Sequence, residues 1–201
     1  FKAIHAQIGG ATAKLDVMIA LGTHPPMSEE AICERLEISP DERRGQFAAV
    51  EFHNHEWDNP DALREVGTIP AADIAELSGG KFEMDLPVKI NRRLFDYDQV
   101  IIVGPAFPHE VAGFSGGNKY LFPGVSGPEL LNFFHWLGAV ISNPKIIGHK
   151  WTPVRKAIDL AASMVAIDKR CFAMVVRPDK SLAGLFYGGL LYTFPSPPDP
   201  G

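Results

Sequence analysis

The chain has 201 residues, 46% hydrophobic and 21% charged, a balance that excludes a disordered polypeptide and suits one domain with its own core. A formal net charge of -5, with no long lysine or arginine run, argues against a nucleic-acid partner or a basic membrane-surface module. No segment reads as a signal peptide or as about 18 consecutive apolar residues able to span a bilayer, and Cys33 and Cys171 form no CxxC pair, so a reducing, cytoplasmic setting is expected.

Residues 1–8 read as the last turns of a helix, with Ile4 and Ile8 four apart and Gly9-Gly10 stopping it. Residues 15–21 read as a short strand before Gly22. Ser28 caps a helix over 29–36, whose first turn carries Glu29 and Glu30 where the helix dipole favours acids. Residues 46–52 read as a second strand, leading into His53. Residues 99–103 have the near-continuous apolar character of a strand buried on both faces. Pro128 opens a helix that reaches Leu137 and ends at Gly138. Thr152-Pro153 supplies a cap and a first-turn proline, after which Val154, Ile158, Ala161 and Val165 form one buried stripe. Residues 171–176 read as the last strand. Strands alternating with helices at this spacing imply an α/β fold, an open, largely parallel sheet flanked by helices in Rossmann-like layers. Residues 1–193 are expected to be one α/β domain that has lost its first elements. Residues 194–201, rich in proline, read as an extended linker toward a second domain outside this sequence.

Imidazoles follow three of those strands. His24 lies past the first, His53 and His55 past the second, and His109 past the third. In open parallel sheets the carboxyl edge is where ligands bind, so His24 and His109 are expected at one shared site. The segment Val111-Ala-Gly-Phe-Ser-Gly-Gly-Asn-Lys-Tyr120 follows directly. Gly113, Gly116 and Gly117, with Ser115 and Asn118 beside them, let a ligand reach backbone N–H groups without meeting a β-carbon. Their spacing matches neither GxxxxGK[ST] nor GxGxxG. Lys119 closes the loop with a side chain able to form covalent bonds. His135, inside the Pro128 helix, is either a metal ligand or a packed core histidine. A separate possibility is a metal-dependent hydrolase, because His53-x-His55 in an extended segment, with Asp58, presents a zinc-type ligand set that would activate water.

The stretches Ala20-Leu-Gly-Thr-His-Pro25, Phe107-Pro-His-Glu-Val-Ala-Gly-Phe-Ser-Gly-Gly-Asn-Lys119, and Phe122-Pro-Gly-Val125 running on to His135 resemble the N-terminal domain of the nickel-dependent lactate racemases and their relatives. The resemblance implies an isomerase, a racemase or epimerase of a 2-hydroxy acid working by reversible hydride transfer. It implies a nickel-pincer nucleotide, pyridinium-derived and tethered to Lys119, with Gly113, Ser115, Gly116, Gly117 and Asn118 around it. His135 then matches the nickel ligand, and His24 and His109 match the acid/base pair. A second domain of the same protein and cofactor maturation enzymes are the partners implied. Two departures stand out. Asn118 precedes the lysine where the family's lactate enzyme has arginine, and the arginine-bearing segment that precedes this region in the family has no counterpart here. A non-catalytic, cofactor-binding relative is the alternative they suggest, and the chain alone is expected to be inactive.

Overall fold

The computed structural model describes residues 1–141, 143–177, 179 and 181–188; the proline-rich linker expected at 194–201 lies outside them. The N-terminal part runs through α1 (Lys2–Ile8), β1 (Val17–Ile19), α2 (Glu29–Arg35), α3 (Pro40–Arg44) and β2 (Phe52–Asn54). Next come β3 (Leu63–Ile69), α4 (Ala71–Ser78) and β4 (Leu86–Asn91). The remainder runs through β5 (Gln99–Ala106), a small hairpin of β6 (Pro108–His109) and β7 (Gly113–Phe114), α5 (Pro128–Ile141), α6 (Pro153–Ser163), β8 (Asp168–Val176) and β9 (Leu182–Gly188).

β1 lies parallel to β2, with Val17 opposite Phe52, and β5 lies parallel to β8 from Gln99–Asp168 to Ala106–Val175. The α/β class therefore holds. β3 and β4 form an antiparallel sheet of their own, and β9 adds an antiparallel strand beside β8, so among the described residues only the β5–β8–β9 sheet is mixed. A parallel pair needs a long crossover, and α5 and α6 lie within the one that joins β5 to β8. Leu130, Phe133, Phe134 and Leu137 from α5 are buried with Val154, Ile158 and Ala161 from α6 and with Ile69, Ile90 and Ile102 from the strands. Each of these side chains other than Ala161 contributes roughly 1.5–3 kcal/mol relative to exposure.

The helix starts are where local chemistry puts them. Ser28 accepts a hydrogen bond from the Ala31 N–H, and Thr152 accepts one from the Arg155 N–H. Two other expectations shift. The second strand begins at Phe52, not near residue 46, because Phe47 and Val50 turn inward onto Ile38 to make a small separate core. Residues 45–49 turn to achieve this. α5 also continues through Gly138, whose missing side chain lets the helix lie against Val111.

Just past β2, His55 ties three segments together. Its Nε2 lies 2.9 Å from the Ser126 carbonyl oxygen, and its Nδ1 lies 3.2 Å from Asn91 Nδ2. A carbonyl only accepts and an amide NH2 only donates, so the ring is neutral with its proton on Nε2. Burial pushes its pKa below the ordinary imidazole value. The unfolded chain thus takes up a proton that the folded chain resists. This stabilisation is complete above about pH 6.5 and is lost as the pH falls below it. Urea unfolding between about pH 7.5 and about pH 5.5 should show stability falling more steeply in the wild type than in His55→Asn. Equal slopes would mean that His55 does not set the acid lability.

Candidate functional site

The carboxyl ends of β1 and β5 open onto one cavity of about 400 Å3. Gly22, Thr23 and His24 reach it from the loop after β1, His109 and Glu110 from the small hairpin, and His135 from α5. Ser115, Gly116 and Lys119 of the glycine loop complete the polar part of the wall. His24, His109, Lys119 and His135, distant in sequence, therefore share one space. Gly113, Gly117 and Asn118 do not line it; they build the wall from behind.

Backbone ties hold these segments in place. Gly22 N donates to the Gly124 carbonyl at 2.8 Å, which docks the His24 loop on the Pro123-Gly124 turn. Ser115 accepts from Phe107 N at 3.0 Å and its hydroxyl donates to Pro105 O at 3.0 Å, fastening the glycine loop to the end of β5. His109 pairs with Gly113 across the hairpin, and its Nδ1 accepts from Val111 N at 3.0 Å. Burial, then the Lys119 cation, push the His109 pKa down, and Glu110, 3.8 Å from Nδ1, partly opposes them. His135 is solvent-exposed while its neighbours Phe134 and Leu137 are buried, so it is no packed core histidine.

Behind the loop stands one face of α6. Thr152 Oγ1 donates to Ala112 O at 3.3 Å, and the Arg155 guanidinium donates to the carbonyls of Phe114 and Gly116. Asp159 accepts from Asn118 Nδ2 at 2.8 Å. Arg155 is only 8% exposed. Burial first, and then this guanidinium, hold the Lys119 amine below the usual lysine range, with Glu110 acting the other way. Among the described residues no carboxylate lies within ion-pairing distance of Lys119 Nζ. Sequence reasoning missed Arg155 and Asp159. Their spacing of four was visible, but polar residues on an amphipathic helix ordinarily face solvent.

The zinc-type set does not assemble. His55 has both ring nitrogens engaged in the core, and Asp58 is exposed on its loop. His53 turns instead toward Asp16 and Glu51, at 3.8 and 3.3 Å from Nε2. Ligand atoms of these three lie within 4.8 Å of one another, but Lys14 Nζ, 2.9 Å from Asp16 and 3.2 Å from Glu51, already supplies the counter-charge. Hydrogen bonds to Asp16 and then Glu51 raise the pKa of that ammonium.

Fold and site together define an α/β domain whose loop lysine and three imidazoles converge at the carboxyl edge of its strands. The lactate racemase N-terminal domain family matches residues 3–147, and the chain belongs to that family. A lactate racemase from Thermoanaerobacterium thermosaccharolyticum is 32% identical over 94 residues, which is 47% of this chain and 19% of that protein. The crystal structure of a protein from Thermotoga maritima superposes with a TM-score of 0.83 at 34% identity, over 92% of this chain and 45% of that one. The lactate racemase apoprotein of Thermoanaerobacterium thermosaccharolyticum superposes with a TM-score of 0.71 at 18% identity, over 95% and 41%, a likeness of fold. This chain spans less than half the length of each of these relatives. Among the described residues no helix is long and apolar enough to cross a membrane.

Two glycines give a controlled test of how the wall is built. Gly113 and Gly148 both have positive φ, but a β-carbon on Gly113 would sit 2.0 Å from the His149 carbonyl oxygen, whereas one on Gly148 meets nothing within 4 Å. Gly148→Ala should cost only the backbone strain, about 1–2 kcal/mol. Gly113→Ala should cost clearly more, because the loop must part from residues 146–149. Thermal unfolding of the two variants decides it, and equal costs would show that the contact is dispensable.

Proposed function

We propose that the intact protein racemises or epimerises a 2-hydroxy acid with a nickel-pincer nucleotide carried on Lys119. The observation that carries this reading is the lysine itself, half-buried beside the buried Arg155 cation with, among the described residues, no carboxylate in ion-pairing reach. Such an amine suits covalent attachment and an anionic ligand better than a structural ion pair. The residues present fit the group: His135 offers an exposed imidazole to nickel, and Ser115 and Gly116 leave the wall beside Lys119 unobstructed. When bound, the group supplies a reversible hydride acceptor for C2 of the substrate.

His24 and His109 then manage the proton at the C2 hydroxyl oxygen. With Nδ1 engaged by the Val111 N–H, neutral His109 carries its proton on Nε2 and meets substrate oxygen as a donor. His24, exposed on its loop, is the acceptor in that state. For His109 to accept at Nε2, its own proton must move to Nδ1, where Glu110 is near enough to take over as partner. Arg155 places positive charge behind the loop where Asn118 brings none, so Asn118 alone is a weak reason to favour a non-catalytic relative. A second domain of the same protein and maturation enzymes as partners belong to this reading. The free thiols Cys33 and Cys171 agree with a cytoplasmic setting.

Intact-mass measurement of the protein made with its maturation enzymes should show a covalent increment that maps to Lys119 and is absent from Lys119→Ala. An unmodified lysine in fully active protein would overturn the attachment. With each enantiomer deuterated at C2, a single turnover of His24→Ala should transfer label mainly from one enantiomer, and His109→Ala mainly from its mirror image. Net interconversion should fall about 10²–10⁴-fold in either variant. Equal transfer from both enantiomers in both variants would exclude the two-base assignment.

A further inference from the structure

Arg155 is a buried guanidinium placed for the glycine loop. It donates to Phe114 O and Gly116 O, the carbonyls that flank Ser115, and Lys119 follows three residues after Gly116. Its neighbour one helical turn on, Asp159, is engaged by Asn118 and makes no hydrogen bond or ion pair to Arg155 among the described residues. We propose that Arg155 is the positioning residue for Lys119, fixing the loop by its carbonyls and presenting the lysine nitrogen to the cavity beside a buried positive charge. The proposal rests on the reading of Lys119 as the attachment point.

The charged and titratable groups around Lys119 can be named element by element. α6 brings Arg155 and Asp159, the hairpin brings His109 and Glu110, α5 brings His135, and the loop after β1 brings His24. Tyr120, next in the chain, keeps its proton: burial pushes its pKa up to about 12, and its hydroxyl donates to Pro105 O. The two acids do not cancel the guanidinium. Glu110 is exposed, so water screens it, and burial raises the Asp159 pKa, which favours its neutral form. A buried cation beside a half-buried amine penalises the ammonium and favours the form with a free nitrogen lone pair.

The test uses the full chain made without the maturation enzymes, acetylated by N-acetoxysuccinimide from about pH 6 to about pH 11. The Lys119 peptide is quantified by mass spectrometry against exposed Lys81. Half-maximal acetylation of wild-type Lys119 should come at lower pH than that of Lys81. Arg155→Gln should raise the Lys119 midpoint by about one pH unit, which is about tenfold less free amine near pH 8, and leave Lys81 unmoved. Arg155→Lys keeps the charge but loses the two-armed donor, so it should hold the midpoint while speeding amide hydrogen exchange over residues 112–118. A folded Arg155→Gln with an unmoved midpoint overturns the proposal. So does a wild-type midpoint at or above that of Lys81, whether or not any variant folds. A missing adduct on the mature protein would remove the attachment reading and leave this acetylation profile standing, so the two failures are distinct.

Discussion

A loop with glycine at positions 113, 116 and 117 has few side chains to bury there, so its carbonyls must find partners elsewhere, and α6 with its cap supplies them. Thr152, Arg155 and Asp159 meet Ala112, Phe114, Gly116 and Asn118 through hydrogen bonds that all come from one helix face. The flanking side of α6 packs Val154, Ile158 and Ala161 into the main core. The loop is therefore anchored to a helix that is itself packed into the main core. A wall built this way can leave Ser115 and Gly116 bare toward the cavity without collapsing into it.

The same anchoring explains how one cavity comes to hold four separated polar side chains. β5 ends at Ala106, and Ser115 folds the loop back onto that end through Pro105 and Phe107. The Gly22–Gly124 hydrogen bond then draws in the loop after β1, with His24 on it. α5 closes the side by burying Phe134 and leaving His135 outward. Nitrogen bases dominate what results, and the burial that assembles the cavity also makes positive charge there costly.

Part of this was legible in the residues. Thr152-Pro153 and the stripe after it act locally, so the start and buried face of α6 could be read directly. His24 and His109 were traceable because each follows an apolar strand by a few residues. Other features depend on partners distant in sequence. Arg155 and Asp159 gain their meaning only from a loop some forty residues away. Phe47 and Val50 read as part of a strand until Ile38 offers them a core of their own. β3 and β4 went unread because Arg64, Glu65 and Gly67 break the apolar pattern in one, and Pro87 interrupts the other.

β1 sits at the seam between two hydrophobic clusters. Val17 packs on the small one around Phe47, while Met18 and Ala20 pack on the main one. One short strand thus touches both clusters, and two residues beyond Ala20 the Gly22–Gly124 hydrogen bond fixes the loop that carries His24. A volume change at Phe47 is therefore felt, along a few residues of chain, by an imidazole in a different part of the molecule.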